Sequence, residues 1–231
     1  YEIIGFSFLH LTLENDLRVF NYFKLKFPEA IFIAGGIEAS FLGKVFFSYA
    51  AFDIVAIGEG ENTLLGILRN FLKQRKCFAN IKSIYFKRDG IVYFSGYGKQ
   101  LNLNDFKKIY RAYKPGNIPY ELYWNNNARL YEHPNWKEIK VVRGTFSNFC
   151  PYRCKFCVSA SFMSFSYGGK LSGRINFYIL PVKNLLEFLL NISNACRDLQ
   201  TFIFDDDNLS LNLEYLRKLC CGIIKLKKEN K

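Results

Sequence analysis

Three cysteines lie within eight residues, Cys150-Pro151-Tyr152-Arg153-Cys154-Lys155-Phe156-Cys157, spaced C-x3-C-x2-C. Three soft thiolates on one short loop suit an iron–sulfur cluster. A cubane 4Fe–4S cluster held at three corners keeps one iron open to another ligand. Structural zinc is the competing chemistry, and it takes four ligands, usually as two pairs. Only Cys154 and Cys157 make such a pair, no second pair follows at finger-like distance, and both histidines, His10 and His133, lie upstream. The spacing favours the cluster. The other thiols, Cys77, Cys196, Cys220 and Cys221, show no ligand spacing, and Cys196 and Cys220 fall on helical patterns as small core residues.

A second group of polar residues, Asp205-Asp206-Asp207-Asn208, follows the apolar run Thr201–Phe204. Carboxylates at a strand end can take a divalent cation or cap the next helix. A third set is made of small residues: Ser7-Phe8-Leu9, Gly35-Gly36 and Gly58-Glu59-Gly60-Glu61 each close an apolar run. Glycine there lets a ligand approach the backbone, or simply ends a strand. Three such loops at one sheet edge point to a ligand cleft, because open parallel sheets bind at the carboxyl ends of their strands. No G-x-G-x-x-G opens a helix, so this is not a dinucleotide fingerprint. His10 follows the Ser7 loop and is a possible cofactor contact, whereas His133 beside Pro134 reads as structural.

These residues need elements to position them. Residues 2–8 read as a strand, 14–27 as a helix with Leu17, Phe20, Phe23 and Phe27 at helical spacing and Pro28 as its stop. Ala30 to Ala34 reads as a strand, Phe41 to Ala51 as a helix, Asp53 to Ile57 as a strand and Asn62 to Arg75 as an amphipathic helix. Such alternation predicts a parallel sheet covered on both faces, with right-handed crossovers. Residues 82–88 and 91–97 flank Asp89-Gly90, a hairpin signal. Residues 114–135, with three prolines, a run of three Asn and several aromatics, read as an irregular connection, and 101–105 as an exit turn. Glu138 to Val142 is predicted as a strand leading through Arg143-Gly144 into the cysteine loop, where barrel enzymes keep their chemistry. Gly168-Gly169-Lys170 and Arg174 read as a loop, Pro181–Cys196 as a helix with Leu185, Phe188, Leu189 and Ile192 on one face, Thr201–Phe204 as a second strand and Leu213–Lys227 as a helix.

Half of the 231 residues are apolar, enough for one large domain or two small ones. The formal charge of +12 would suit nucleic acid or an anionic membrane, but the lysines are scattered, apart from Lys225, Lys227, Lys228 and Lys231. The broad excess of Lys, Asn, Phe, Tyr and Ile reads as compositional drift, against nucleic-acid binding. No apolar run reaches eighteen residues, so no membrane span is predicted. Seven cysteines without a secretion signal predict reduced thiols in the cytoplasm. The chain opens on Tyr1-Glu-Ile-Ile-Gly-Phe-Ser7 without an initiator Met, so residue 1 is expected to lie inside a longer protein.

The Ser7-x-Leu9, Gly35-Gly36 and Gly58-Glu59-Gly60-Glu61 series resembles the cobalamin (B12)-binding domain that precedes many radical S-adenosylmethionine (SAM) enzymes. The loop Cys150–Cys157, with an aromatic before its last cysteine, closely resembles the radical SAM signature. The resemblance implies a partial Rossmann-like α/β sheet of B12-binding type over 1–98, lacking its first strands, a linker over 99–137, and the first βα units of a partial TIM-type radical SAM barrel over 138–231. It implies that Cys150, Cys154 and Cys157 hold a 4Fe–4S cluster whose open iron is chelated by SAM. Phe156, Asp206 and Asp207 would be SAM-side residues, and Ser7, Leu9, Gly35, Gly36, Gly58, Glu59 and Gly60 would contact cobalamin. Where that family often has a His after Gly-Gly, this chain has Glu38.

In the family, an electron from the reduced cluster cleaves SAM to a 5′-deoxyadenosyl radical that abstracts hydrogen from a substrate, the cofactors supplying the difficult step. The expected activity is methylation, or a rearrangement such as cyclisation, of a small-molecule substrate, with an electron donor such as flavodoxin or ferredoxin. Two alternatives stay open: a non-catalytic iron–sulfur or zinc scaffold module, and a tRNA-modifying radical SAM enzyme, which would carry a further cysteine set upstream, where only Cys77 is present. A complete barrel of this kind needs ~250 residues, so the chain is expected to hold only part of one.

Overall fold

The computed structural model describes residues 2–73, 78–130, 140–152, 154–169 and 176–229. In chain order the elements are β1 (Ile3–Ser7), α1 (Leu13–Lys26), β2 (Ile31–Gly35), α2 (Gly36–Leu42), β3 (Ile54–Ala56), α3 (Glu61–Leu72), β4 (Ile84–Arg88), β5 (Ile91–Phe94), α4 (Leu103–Ala112), α5 (Tyr120–Leu130), β6 (Val141–Gly144), α6 (Val158–Ser166), α7 (Val182–Ala195), β7 (Thr201–Phe204) and α8 (Leu213–Lys228). The chain forms two compact units. The first joins Tyr1–Leu101 to Tyr152–Asn176, and the second joins Asn102–Pro151 to Phe177–Lys231.

The first unit is built on a five-stranded sheet of order β1-β2-β3-β4-β5. β1 pairs parallel to β2, with Ile3 opposite Ile31 and Ser7 opposite Gly35, and β2 pairs parallel to β3. β4 and β5 then add antiparallel. The alternation of side chains along the strands decides which face each covers. Ile4, Phe6, Phe32, Ala34, Val55 and Tyr85 join the core beneath α1 and α2. Their neighbours in sequence, Ile3, Ile31, Ile33, Ile54, Ile84 and Phe86, pack with Ile67 of α3 on the other side. Both faces of the sheet are therefore covered, as the apolar runs predict.

The α1 side is dense in aromatics: Phe20 lies 4.3 Å from Phe52 and Phe8 lies 4.9 Å from Phe46, ring centre to ring centre. Burying each such ring contributes about 2–3 kcal/mol. At Asp89 (φ 51°) and Gly90 (φ 76°) the chain reverses between β4 and β5, the backbone a two-residue hairpin needs.

One helix is placed differently from the sequence expectation. The apolar run Phe41–Ala51 is not a helix of that length: α2 begins at Gly36 and ends at Leu42, and Gly43–Ser48 forms a 3-10 turn. Gly43 adopts φ +53°, and a Cβ there would sit 3.0 Å from the Tyr85 ring. The α-helix ends at this residue because the tighter turn lets Phe46 reach the core, where it is fully buried.

The second unit holds the parallel pair β6–β7, with Val141 opposite Thr201 and Gly144 opposite Phe204. Leu185, Phe188 and Ile192 of α7 and Tyr215 and Leu219 of α8 pack with Val142, Phe146 and Leu180. The segment expected to be an irregular linker is largely helical. Asn102 caps α4 by accepting from the Asn104 and Asp105 N–H groups. From α4 and α5, Phe106, Tyr110, Tyr120 and Trp124 enter the same core. The Trp124 indole N–H donates to the Val141 carbonyl at 2.7 Å. Residues 99–137 thus do not form a separate stretch: 99–101 go with the first unit, and the described residues from 102 onward build the second. Residues 152–176, expected within the barrel portion, count with the first unit. His133, Cys77, Lys170 and Arg174 lie outside the described residues.

Candidate functional site

The carboxyl ends of β1, β2 and β3 are tied together by the chain itself. The Phe8 N–H donates to the Gly35 carbonyl at 2.9 Å, and the Glu38 N–H donates back to the Phe8 carbonyl at 3.2 Å. Ser40 links the next pair: its hydroxyl donates to the Gly36 carbonyl at 2.7 Å and accepts the Gly58 N–H at 3.0 Å. Each bond contributes about 1 kcal/mol, and together they hold three loops in one register.

Gly36 is where glycine is required. It adopts φ +88°, and a Cβ would stand 2.7 Å from both the Phe8 N and O and 2.9 Å from the Ser7 Oγ. The first two loops touch backbone to backbone, which any side chain at 36 would prevent. Gly58 (φ +75°) is similar, with a Cβ 2.7 Å from the Ser166 Cβ. Of the residues expected to face a cofactor, Ser7, Gly35, Gly36 and Gly58 are thus gathered at one sheet edge.

The others fare differently. The Leu9 side chain is 49% exposed. Gly60 precedes α3 and has open space at its Cβ position, so no steric reason demands glycine. The Glu59 carboxylate is already engaged, accepting the Leu101 N–H at 3.1 Å and the Tyr167 hydroxyl. His10 and Glu38 meet at 3.2 Å, Nδ1 to Oε1, with the His10 side chain 82% exposed. Glu38 therefore partners the histidine of the preceding loop.

The cysteine loop follows β6, and the boundary between the units falls inside it, after Pro151. Cys150 and Cys157 are partly buried, Cys154 is exposed, and none of the three is in a disulfide. The Cys157 N–H donates to the Cys154 carbonyl at 3.0 Å, closing a turn over Lys155 and Phe156. Cys157 then precedes α6, which has no side-chain N-cap bond and ends just ahead of Gly168-Gly169, where the Gly169 N–H donates to the Ser164 carbonyl at 2.9 Å. The Phe156 ring is 93% exposed. Among the described residues no group of three or more His, Cys, Asp or Glu side chains is gathered for a metal.

The three aspartates after β7 do three different things. Asp205 pairs with Arg143 at 2.7 Å, which holds the guanidinium above its usual pKa. Asp206 turns inward. Its Oδ1 accepts the Phe146 N–H at 2.9 Å, the Ser147 N–H at 2.5 Å and the Ser147 hydroxyl at 2.6 Å. Its Oδ2 is buried and has no hydrogen-bond partner among the described residues. Asp207 is exposed. Tyr215 lies close by: burial, and then the Asp206 charge, push its phenol well up, so it stays a neutral donor, here to the Leu180 carbonyl at 2.7 Å. The sequence pattern marks a carboxylate run; which of its members turns inward is a matter of backbone geometry. Ser40, Ser166 and Tyr167 had no motif to mark them.

No protein-family model matches the sequence, and no curated protein matches it. Solved structures do. The chain is similar to the cobalamin-dependent S-adenosylmethionine radical enzyme OxsB with aqua-cobalamin bound (TM-score 0.65, 19% identity, 97% of this chain and 29% of that chain). It is also similar to apo, selenomethionine-labelled OxsB (0.60, 17%, 96% and 28%). A third match is the radical S-adenosylmethionine methyltransferase TsrM from Kitasatospora setae with cobalamin and a 4Fe–4S cluster bound (0.67, 11%, 99% and 41%). The chain spans less than half the length of each. At these identities the likeness establishes architecture: the chain has the fold of part of a cobalamin-dependent radical SAM enzyme.

Proposed function

We propose that this polypeptide is the cofactor-bearing portion of a cobalamin-associated radical SAM enzyme that methylates or rearranges a small molecule. The observation that carries the reading is the C-x3-C-x2-C spacing of Cys150, Cys154 and Cys157 in a chain with this fold. The donor set fits the group, since three thiolates satisfy three irons and leave one open. When bound, the cluster and SAM supply the reducing electron and the radical chemistry.

The chain's own residues would do the rest. Cys150, Cys154 and Cys157 would hold the cluster as thiolates. Phe156, exposed beside Cys157, would cover the bound SAM. The Asp206 Oδ2, buried and unpartnered, would accept a donor from the SAM side, while its Oδ1 holds residues 146 and 147 just ahead of Cys150. Asp207 would face the same ligand. Ser7, Leu9, Gly35, Gly36 and Gly58 would receive cobalamin, the missing Cβ atoms of Gly36 and Gly58 letting the loops that form the cradle close on Phe8 and Ser166. Glu59 would act through the loop it fixes at Leu101 and Tyr167, and Gly60 through the backbone ahead of α3. A flavodoxin or ferredoxin would deliver the electron, in a reducing compartment such as the cytoplasm. No described helix is long and apolar enough to cross a membrane.

Anaerobic reconstitution of the full chain with iron and sulfide tests this. The expected result is a reducible cluster whose EPR signal changes when SAM is added, and whose assembly is lost in Cys154→Ala. Tight zinc binding with no response to SAM would replace the proposal with the scaffold reading.

A further inference from the structure

A cavity of about 400 Å³ opens in the first unit beside α3, lined on one side by that helix and on the other by the segments before β4 and after β5. Four cations line it: Arg69, Lys73, Lys82 and Lys99. Its single lining carboxylate, Glu59, is occupied by the Leu101 N–H and the Tyr167 hydroxyl. Among the described residues Arg69, Lys73 and Lys99 form no ion pair, and Lys82 gives one N–H to the Ser95 carbonyl at 2.8 Å. Gathering four like charges around one concavity costs free energy unless an anion offsets it.

Arg69 and Lys73 stand in the last turn of α3 and at its end, where cations favourably meet the helix dipole. That accounts for two of the four. Lys82 and Lys99 belong to no helix and reach the cavity by another device. Ser83, between them, is held at φ +61°, an uncommon backbone state for a residue with a side chain. It is buried, its N–H donates to the Gly96 carbonyl at 2.8 Å, its hydroxyl accepts the Gly98 N–H at 2.8 Å, and its carbonyl accepts the Ile57 N–H at 2.9 Å. The strained residue thereby clamps the Lys82 and Lys99 segments onto one wall. Backbone strain of about 1–3 kcal/mol persists where the surroundings enforce it, and it clusters at ligand sites.

The rest of the lining is split. Buried Asn70 and Thr63 are satisfied internally, through Asn80 and the Lys82 carbonyl. Ile57, Ile81 and Leu101 supply an apolar part. Four cations, an apolar share of the lining and this volume suit a small organic phosphate.

We propose that this cavity binds a phosphomonoester of mononucleotide size, its phosphate lying among Arg69, Lys73, Lys82 and Lys99. None of the four cations belongs to the glycine cradle or the cysteine loop, although Glu59 and Ser166 border both this cavity and the cradle. Titration of the full chain with AMP, followed by calorimetry and phosphorus NMR, tests it. AMP should bind with one-to-one stoichiometry, and adenosine at least about tenfold more weakly, the loss expected for a charge-assisted contact.

Arg69→Gln with Lys73→Gln should weaken AMP by a similar factor, with the circular-dichroism melt lowered by no more than the small helix-end contribution of the two cations. Lys99→Gln alone should weaken it less, and Lys24→Gln, on α1, not at all. Inorganic phosphate should compete, more weakly than AMP. Equal affinity for AMP and adenosine, or indifference to both variants, would overturn the site. So would displacement of AMP by hydroxocobalamin, which assigns the cavity to the cofactor's own phosphodiester. Single-stranded oligonucleotides that bind more tightly as they lengthen, with a steep salt dependence, would instead make this an extended nucleic-acid face.

Discussion

The glycine cradle and the cysteine loop are both built from short segments at strand ends, yet they are held in opposite ways. In the cradle, Phe8, Gly35, Gly36, Ser40 and Gly58 bond to one another, and Phe8 is fully buried beneath them. Its shape exists before any ligand arrives. Past Cys150 the thiol loop turns outward: Tyr152, Cys154 and Phe156 are exposed, and the Cys157 side chain gives no capping bond to α6. Packing sets the first; the second is left largely exposed, and under the proposed function its order would come from the cluster it binds, as metal sites commonly do. The segment just ahead of Cys150 is the exception, because Asp206 grips Phe146 and Ser147.

This contrast can be broken at several points. The largest expected loss is Phe146→Ala, about 4 kcal/mol in urea denaturation, since this ring is fully buried among Tyr110, Phe188, Phe202 and Phe204. Gly36→Ala comes next, at about 3 kcal/mol from the positive φ together with the clash at Phe8. A loss under about 0.5 kcal/mol would mean the cradle yields, and the contrast with the thiol loop would fail. Asp206→Asn should cost about 1–3 kcal/mol and loosen the backbone at 146–147, read by hydrogen exchange at the Phe146 and Ser147 amides. Cys154→Ser, without metal, should change stability by less than about 0.5 kcal/mol.

Smallest is a pH effect. Asp198, hydrogen-bonded to Lys140 at 2.7 Å, has its carboxyl pKa lowered by that lysine. Its contribution is present above the ordinary carboxylate pKa of about 4 and fades as pH falls through the lowered value. Asp198→Asn should flatten that part of the acid-unfolding curve.

Much of this was legible because burial leaves a period in the sequence. The alternating residues of Ile31–Ala34 and Ile54–Val55 match the two sheet faces, and the hairpin at Asp89-Gly90 is where the dipeptide predicts it. Thr201–Phe204 is a strand to the residue. The helices α4 and α5 were obscured by the prolines and the Asn run between and within them. A stripe was nonetheless present, Phe106-Tyr110-Tyr113 and then Tyr120-Trp124, at helical spacing. α6 had no such stripe with a polar opposite face to reveal it. At the site, residue type pointed to the glycine loops and the cysteines. Ser40, which fastens two of those loops, and the inward turn of Asp206 depend on contacts between distant segments that no local pattern records.

The course of the chain through its two units also sets an order of events during synthesis. Residues 152–176 belong to the first unit, but they emerge from the ribosome only after 102–151, which belong to the second. The sheet of β1–β5 can form early, whereas Gly58 meets Ser166, and Glu59 meets Tyr167, only when the later stretch is made. Domains that fold as units during translation usually finish in sequence order. Here neither unit can finish without waiting on a segment encoded beyond part of the other, so the cysteine loop is translated at the moment the chain changes hands between them.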